Sequence, residues 1–197
     1  MVDEKRYKAA LEKFDAANRE DPNKEIFQGK EWPKEWLYAQ RMSGWLERLE
    51  PNASEPLRLA ARCQHICRWK IPRGQFPMDR KGYHQWRTTL FGLHAKKAGE
   101  ILREVGYDEK TTQRVQDLLW KKGLKGDPEV QLLEDAICLV FLEYYFADFS
   151  KKHNEEKVIE ILQKTWKKMT PRGHQVALQL KLPAEALALI QKALSRT

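Results

Sequence analysis

Apolar residues recur along this chain every three or four positions, the spacing that lines one face of a helix, and nowhere alternate in twos for long enough to predict a strand. The pattern predicts a first helix over Glu4–Arg19, broken at Asp21-Pro22-Asn23. Pro33 suits the first position of a second helix, which runs to about Glu50 and stops at Pro51. Ser54 is placed to cap a third, with Glu55 and Pro56 in its first turn. Leu59–Trp69 (LAARCQHICRW) reads as a buried helix that nevertheless carries Arg62, Gln64, His65 and Arg68. Lys70–Tyr83 follows as the one long irregular segment, with two prolines and two glycines, and is a candidate binding loop. A fourth helix covers about Tyr83–Val105 and ends at Gly106; a fifth runs from Asp108 to Lys122 and ends at Gly123. Asp127-Pro128 opens a sixth that reaches about Lys151, and a seventh spans roughly Asn154–Met169. Two short helices from Thr170-Pro171 onward, divided at Pro183, finish the chain. The expected fold class is all-α: a single compact domain over residues 1–197 of about eight or nine helices, with 151–197 as its C-terminal helices.

Composition agrees with a globular chain, at 42% hydrophobic and 32% charged residues, including seven Trp. The N-terminal MVDEKRYK is charged from its third residue, which argues against a signal peptide. The longest apolar run, Ala136–Leu142, is too short to cross a bilayer. Cys63, Cys67 and Cys138 have no disulfide spacing and fit buried free thiols in a reducing compartment, so the expected location is cytoplasmic with no membrane partner. A net charge of +8 favours anionic partners, either phosphorylated small molecules and nucleotides or RNA.

Two core-type segments carry the candidate chemistry. Burying a polar group without a partner costs kcal/mol, so the polar residues of Leu59–Trp69 mark the lip of a pocket. Leu132–Glu143 (LLEDAICLVFLE) repeats the arrangement with Glu134 and Asp135. Between them, Arg62, Arg68, Arg73, Arg80 and Arg87 are interleaved with Trp69, Phe76, Tyr83 and Trp86. Guanidinium forks suit phosphate, and aromatic faces suit a base. The same residues also fit snorkelling arginines over a Trp-rich core. The basic stretches Lys121–Asp127 and Lys164–His174 contain no RNA-binding motif and read as solvated turns or helix ends.

Most of the chain resembles an uncharacterised family, a domain of unknown function (DUF4202) carried under a glutamyl-tRNA synthetase-like label. The resemblance lies in FDAANREDP, YAQRMSGWLERLEP, ASEPLRLAARCQHICRWKIPR, GYHQWRTTL, LLEDAICLVFLE and KTWKKM. The synthetase label is set aside, because the chain has no nucleotide-binding α/β pattern and no Gly-rich phosphate loop. More distantly the chain resembles the HD phosphohydrolase superfamily, all-α enzymes that hold a divalent metal between helices. LAARCQHICR aligns with their His-Asp helix, with Gln64 where the His stands and His65 where the Asp stands. LLEDAICL places Asp135 at their closing ligand, and LHAKKAGEILREVGYDEKTTQRV places His94 at an extra-ligand position. Their first His falls near Tyr38, where this chain has none.

The resemblance implies an HD-like site core over residues 52–150 and a divalent metal (Mn, Fe, Zn or Mg) held by His65 and Asp135, with His94 or, in its place, Glu134 as the third ligand. The other reading of these residues is a core histidine, His65 hydrogen-bonded to Asp135, with no ion. The expected function is hydrolysis of a phosphorylated small molecule or nucleotide. His65, Asp135 and Glu134 are its candidate catalytic residues, and Gln64, Arg68, Arg73, Tyr83, Arg87 and His94 its substrate-binding ones. The alternative is a non-catalytic nucleotide- or RNA-binding module on a degenerate HD scaffold.

Overall fold

A computed structural model of the chain describes residues 3–195; Met1 and Val2, where the charged N-terminal stretch begins, and the last two residues lie outside them. The chain divides into two compact units, Met1–Gly123 and Leu124–Thr197. Among the described residues there are ten α-helices and one two-stranded hairpin, so the fold is all-α. No described helix is long and apolar enough to cross a membrane.

The first unit contains α1 (Glu4–Arg19), β1 (Lys24–Phe27), β2 (Lys30–Pro33), α2 (Lys34–Leu49), α3 (Glu55–Arg62), α4 (Arg80–Glu104) and α5 (Glu109–Leu119). Its core gathers Phe14 from α1, Met42, Trp45 and Leu46 from α2, Leu57 and Leu59 from α3, Leu102 from α4 and Leu118 from α5, all at most 2% exposed. The helix starts follow side-chain caps, each worth about 1 kcal/mol. Asp3 accepts from Arg6 N–H, Ser54 from Leu57 N–H and Asp108 from Thr111 N–H.

The hairpin corrects the expectation of a chain without strands. Lys24 pairs with Pro33 and Phe27 with Lys30, which leaves a two-residue turn at Gln28-Gly29 with φ of 52° and 73°. Positive φ at both central positions is the geometry that matches strand twist in the tightest hairpins. The strands are four residues each and largely exposed, too short for an alternating pattern to register in the sequence. Pro33 accordingly ends β2 and precedes α2 instead of opening it. The cap that Pro33 cannot supply comes from Asp21, a buried carboxylate that accepts from Glu35 N–H at 3.0 Å and from Asn23 N–H at 2.9 Å.

The second correction lies in Leu59–Trp69. The helix stops at Arg62, and residues 63–67 form a run of turns in which Ile66 N–H donates to the Cys63 carbonyl and Arg68 N–H to that of His65. Cys67 sits in the left-handed region at φ 56°. Side chains distant in sequence satisfy the backbone there. Asn18 Oδ1 accepts from Cys67 N–H at 3.1 Å, and His94 Nδ1 donates to the Ile66 carbonyl at 2.8 Å. Those two side chains satisfy the Cys67 N–H and the Ile66 carbonyl without a helix. Short 3₁₀ turns at Arg68–Lys70 and Arg73–Gln75 interrupt the segment that follows.

The second unit contains α6 (Pro128–Val140), a π-helical turn (Phe141–Tyr145), α7 (Phe146–Lys151), α8 (Glu155–Trp166), α9 (Pro171–Ala177) and α10 (Ala184–Leu194). Asp127, Asn154 and Thr170 cap α6, α8 and α9, which begin close to where the sequence places helix starts, with proline in the first turn of α6 and α9. α6 and α7 read as one helix in the sequence and remain continuous through the π turn, a single widened turn that shifts the facing of everything after it.

Candidate functional site

The turn after α3 presents His65 to a group of polar side chains inside the first unit. Glu35, in the first turn of α2, brings Oε2 to 3.2 Å from His65 Nδ1. Arg68, three residues along, lies 3.1 Å from His65 Nε2 through Nη1, and its Nε is 3.7 Å from Glu35 Oε1. A guanidinium only donates, so Nε2 accepts, and the imidazole proton is assigned to Nδ1, where it faces the Glu35 carboxylate. Tyr38, one turn beyond Glu35, stacks on the imidazole with ring centroids 4.0 Å apart. The carboxylate paired with His65 is therefore that of Glu35, where the sequence had pointed to Asp135.

The electrostatics follow from burial and an excess of cations. Burial holds the His65 pKa well below the ordinary histidine value, and Arg68, Lys121, Arg87 and Lys34 push it further down. His65 is neutral at pH 7 as a result. Burial raises the Glu35 carboxyl above its ordinary value against the pull of Arg68 and Lys34. Glu35 is the one acid in this group, set against four basic side chains.

His94, on α4, has its ring centroid 5.8 Å from that of His65 and is 2% exposed. Its Nδ1 proton is committed to Ile66, so its Nε2 carries a lone pair, buried and without a hydrogen-bond partner. Burial first, and the neighbouring His65 second, push its pKa down to about 3. Gln64 is also buried, and its Oε1 is unpartnered.

The arginines singled out in the sequence divide by what they touch. Arg68 lies over the Trp86 ring at 4.7 Å, and Trp86 Nε1 donates to the Ile71 carbonyl, which fixes the ring. Arg87 lies over Tyr83 at 5.8 Å and Phe91 at 5.4 Å, with its charge reaching His65. Arg73 instead donates to the carbonyls of Phe76, Pro77 and Asp79, which folds its loop around it. Arg62 forms a two-pronged pair with Asp15 at 2.8 and 2.7 Å and supports packing. Tyr83 is 42% exposed.

Glu134 and Asp135 belong to the second unit, on α6. Asp135 Oδ1 accepts from Thr170 N–H at 2.8 Å, and Oδ2 accepts from the Thr170 hydroxyl. Thr170 Oγ1 in turn caps α9 through Gly173 N–H at 3.0 Å. Burial raises the Asp135 pKa despite these bonds. Glu134 is buried, with Lys168 Nζ at 3.7 Å. Among the described residues, no three or more His, Cys, Asp or Glu side chains are grouped to hold a metal ion, and the three cysteines are buried and not joined in disulfides.

Sequence reasoning missed Glu35 and Lys34, read Lys121 as part of a solvated turn, and reached Tyr38 only as a place where a histidine was absent. The sequence carried no distinct signal for Glu35, because an acid in the first turn of a helix with several other polar residues is ordinary. The profile of one protein family, described as a domain of unknown function (DUF4202), matches residues 8–190. No curated protein and no solved structure matches the chain.

Proposed function

The chain belongs to the DUF4202 family, a domain of unknown function, and from its own residues we propose that it is a divergent HD-like hydrolase of a phosphorylated small molecule or nucleotide. One observation carries this reading: a neutral imidazole held between Glu35 and Arg68, on which the charges of Lys121, Arg87 and Lys34 also act. Such a place suits a phosphate and repels a cation. Tyr38 supports the HD likeness, since it stacks on His65 from the position where those enzymes carry their first histidine. The donor set does not suit the divalent metal of that superfamily. Both His65 nitrogens are engaged, and the surrounding charge is positive. The proposed chemistry therefore uses no metal.

A phosphate dianion entering the group takes the Arg68 guanidinium from His65 Nε2 and binds it with two parallel hydrogen bonds, while Arg87, Lys121 and Lys34 offset its charge. His65 Nε2 is then free to accept a proton. The bound dianion also offsets most of the positive charge that acts on the ring, which raises the affinity of the ring for that proton. Glu35 keeps the tautomer fixed through Nδ1 and stabilises the imidazolium. A water then gives its proton to Nε2 as its oxygen bonds to phosphorus. The bond from phosphorus to the ester oxygen breaks, the departing alkoxide takes a proton from solvent, and the His65 imidazolium gives its proton back to solvent. The products are inorganic phosphate and an alcohol.

Phosphate release from a panel of phosphomonoesters and nucleotides, run in EDTA, tests the reading. Turnover is expected in the wild type and is expected to fall about 10²–10⁴-fold in His65→Asn, the range for loss of a general base. Binding without turnover would favour the alternative of a nucleotide- or RNA-binding module. Turnover that appears only with added Mn, Zn or Mg would overturn the metal-free mechanism.

A further inference from the structure

The positive charge of this chain is concentrated in one segment. From Arg68 to Lys97 there are eight Lys and Arg and a single acid, Asp79, against a net charge of +8 for the whole chain. Asp79 is itself engaged, capping α4 through Gly82 N–H at 2.7 Å. The leading turns of α4 are also bare for a core helix: from Arg80 to Thr89 only Gly82 is buried. Arg80, Lys81, His84, Gln85, Thr88 and Thr89 line an open trough there. Arg80, His84, Arg87, Phe91 and His94 recur at helical spacing on one stripe of α4. That stripe runs about 21 Å, from the exposed end of the helix to the buried histidine beside His65.

We propose that this stripe is a track for single-stranded RNA that delivers a terminal phosphate to His65. The inference rests on the phosphate-site reading above and names its substrate class. The cations follow the backbone, and the exposed Tyr83 ring, edge-on to His84 at 5.9 Å, offers an unpaired base a stacking face. Gln85 and Thr88 offer donors and acceptors to ribose 2′-hydroxyls. An anionic membrane fits less well, because Met78 and Tyr83 are the only exposed large hydrophobic residues described in this segment, too few for an inserting face.

The test is fluorescence anisotropy of the full chain with a short single-stranded RNA that bears a phosphate at one end and a dye at the other. Binding is expected to weaken at least ~10-fold in the exposed double variant Arg80→Glu, Lys81→Glu, and the salt slope to fall by about 0.7 for each phosphate that the variant no longer neutralises. Tyr83→Ala is expected to cost about tenfold. Removing the terminal phosphate is expected to weaken the wild type but not Arg68→Ala. Circular dichroism checks that each variant is folded. Equal binding by the double variant, or preference for duplex RNA, DNA or anionic vesicles, overturns the track. Hydrolysis of small esters with no RNA binding overturns the track alone. RNA bound with these sensitivities but never hydrolysed supports the track and overturns the hydrolase reading.

Discussion

His94 Nδ1 donates to the carbonyl oxygen of Ile66 at 2.8 Å, across 28 positions of sequence, and so ties α4 to the turn that presents His65. Asn18 does the same from α1 through Cys67 N–H. Removing either side chain strands a buried backbone group, which costs about 1–3 kcal/mol beyond the loss of packing. His94→Ala is expected to lower unfolding stability by about 2–4 kcal/mol, and Asn18→Ala by about 1–3 kcal/mol, read as shifts in the urea midpoint. An unchanged midpoint in both would mean that the turn holds itself.

Stability is expected to depend on pH through the two buried histidines. Both have folded-state pKa values below the unfolded value of about 6.5, and that of His94 is pushed down to about 3. The unfolded chain binds protons there that the folded chain refuses. The stability is therefore fully present above about pH 6.5 and is lost as pH falls toward the folded values, at up to about 1.4 kcal/mol per pH unit for each ring. Glu35 opposes this, because its raised pKa lets the folded state take up a proton first as pH falls. Urea titrations between pH 7.5 and pH 4 (about the span of these transitions) are expected to show declining stability in the wild type and a shallower decline in His94→Gln.

Asp21 positions Glu35 by capping the first turn of α2. Asp21→Ala is expected to cost about 1–2 kcal/mol in stability, the worth of a missing cap. It should also weaken the phosphate binding proposed at His65, while Asp21→Asn retains part of both. Isothermal titration with inorganic phosphate beside thermal unfolding separates the two effects, and full phosphate affinity in Asp21→Ala would remove its positioning role.

In the second unit, Asp135, Thr170 and Gly173 are packed with no spare room. A Cβ on Gly173 would lie 2.8 Å from the Asp135 carboxyl carbon, and that carboxylate is held by Thr170. Gly173→Ala is expected to destabilise by about 1–3 kcal/mol through overpacking. Thr170→Val, which loses the hydroxyl bonds on both sides, is expected to cost a similar amount by the same measurement. Thr170→Ser should sit near the wild type.

The helices were legible in the sequence because their signals are local. Ser54, Asp108, Asn154 and Thr170 each stand where a cap is needed, and the helices begin directly after them. What escaped was non-local. Nothing within residues 63–67 says that the helix must stop; the reason lies in Asn18 and His94, which offer that backbone other partners. The Glu35–His65 pair likewise joins residues thirty apart, with Asp21 as the hidden cap between them. Candidate residues near His65 in sequence, Gln64 and Arg68, were identified from burial alone. The same reasoning chose Asp135 as the partner of His65 because a family alignment, and no physical contact, connected them.

The dependence of the His65 turn on Asn18 and His94 has a consequence for the order of folding. Helices form in microseconds or less from their own residues, whereas a turn closed by contacts 49 and 28 positions away must wait until those loops have closed. During synthesis His65 emerges well before His94. Until α4 has left the ribosome and docked, the segment lacks its hydrogen-bond partner at Ile66. The His65 group is thus among the last parts of its unit to mature, and a truncated chain ending before α4 carries the residues of Leu59–Trp69 without the arrangement that gathers them.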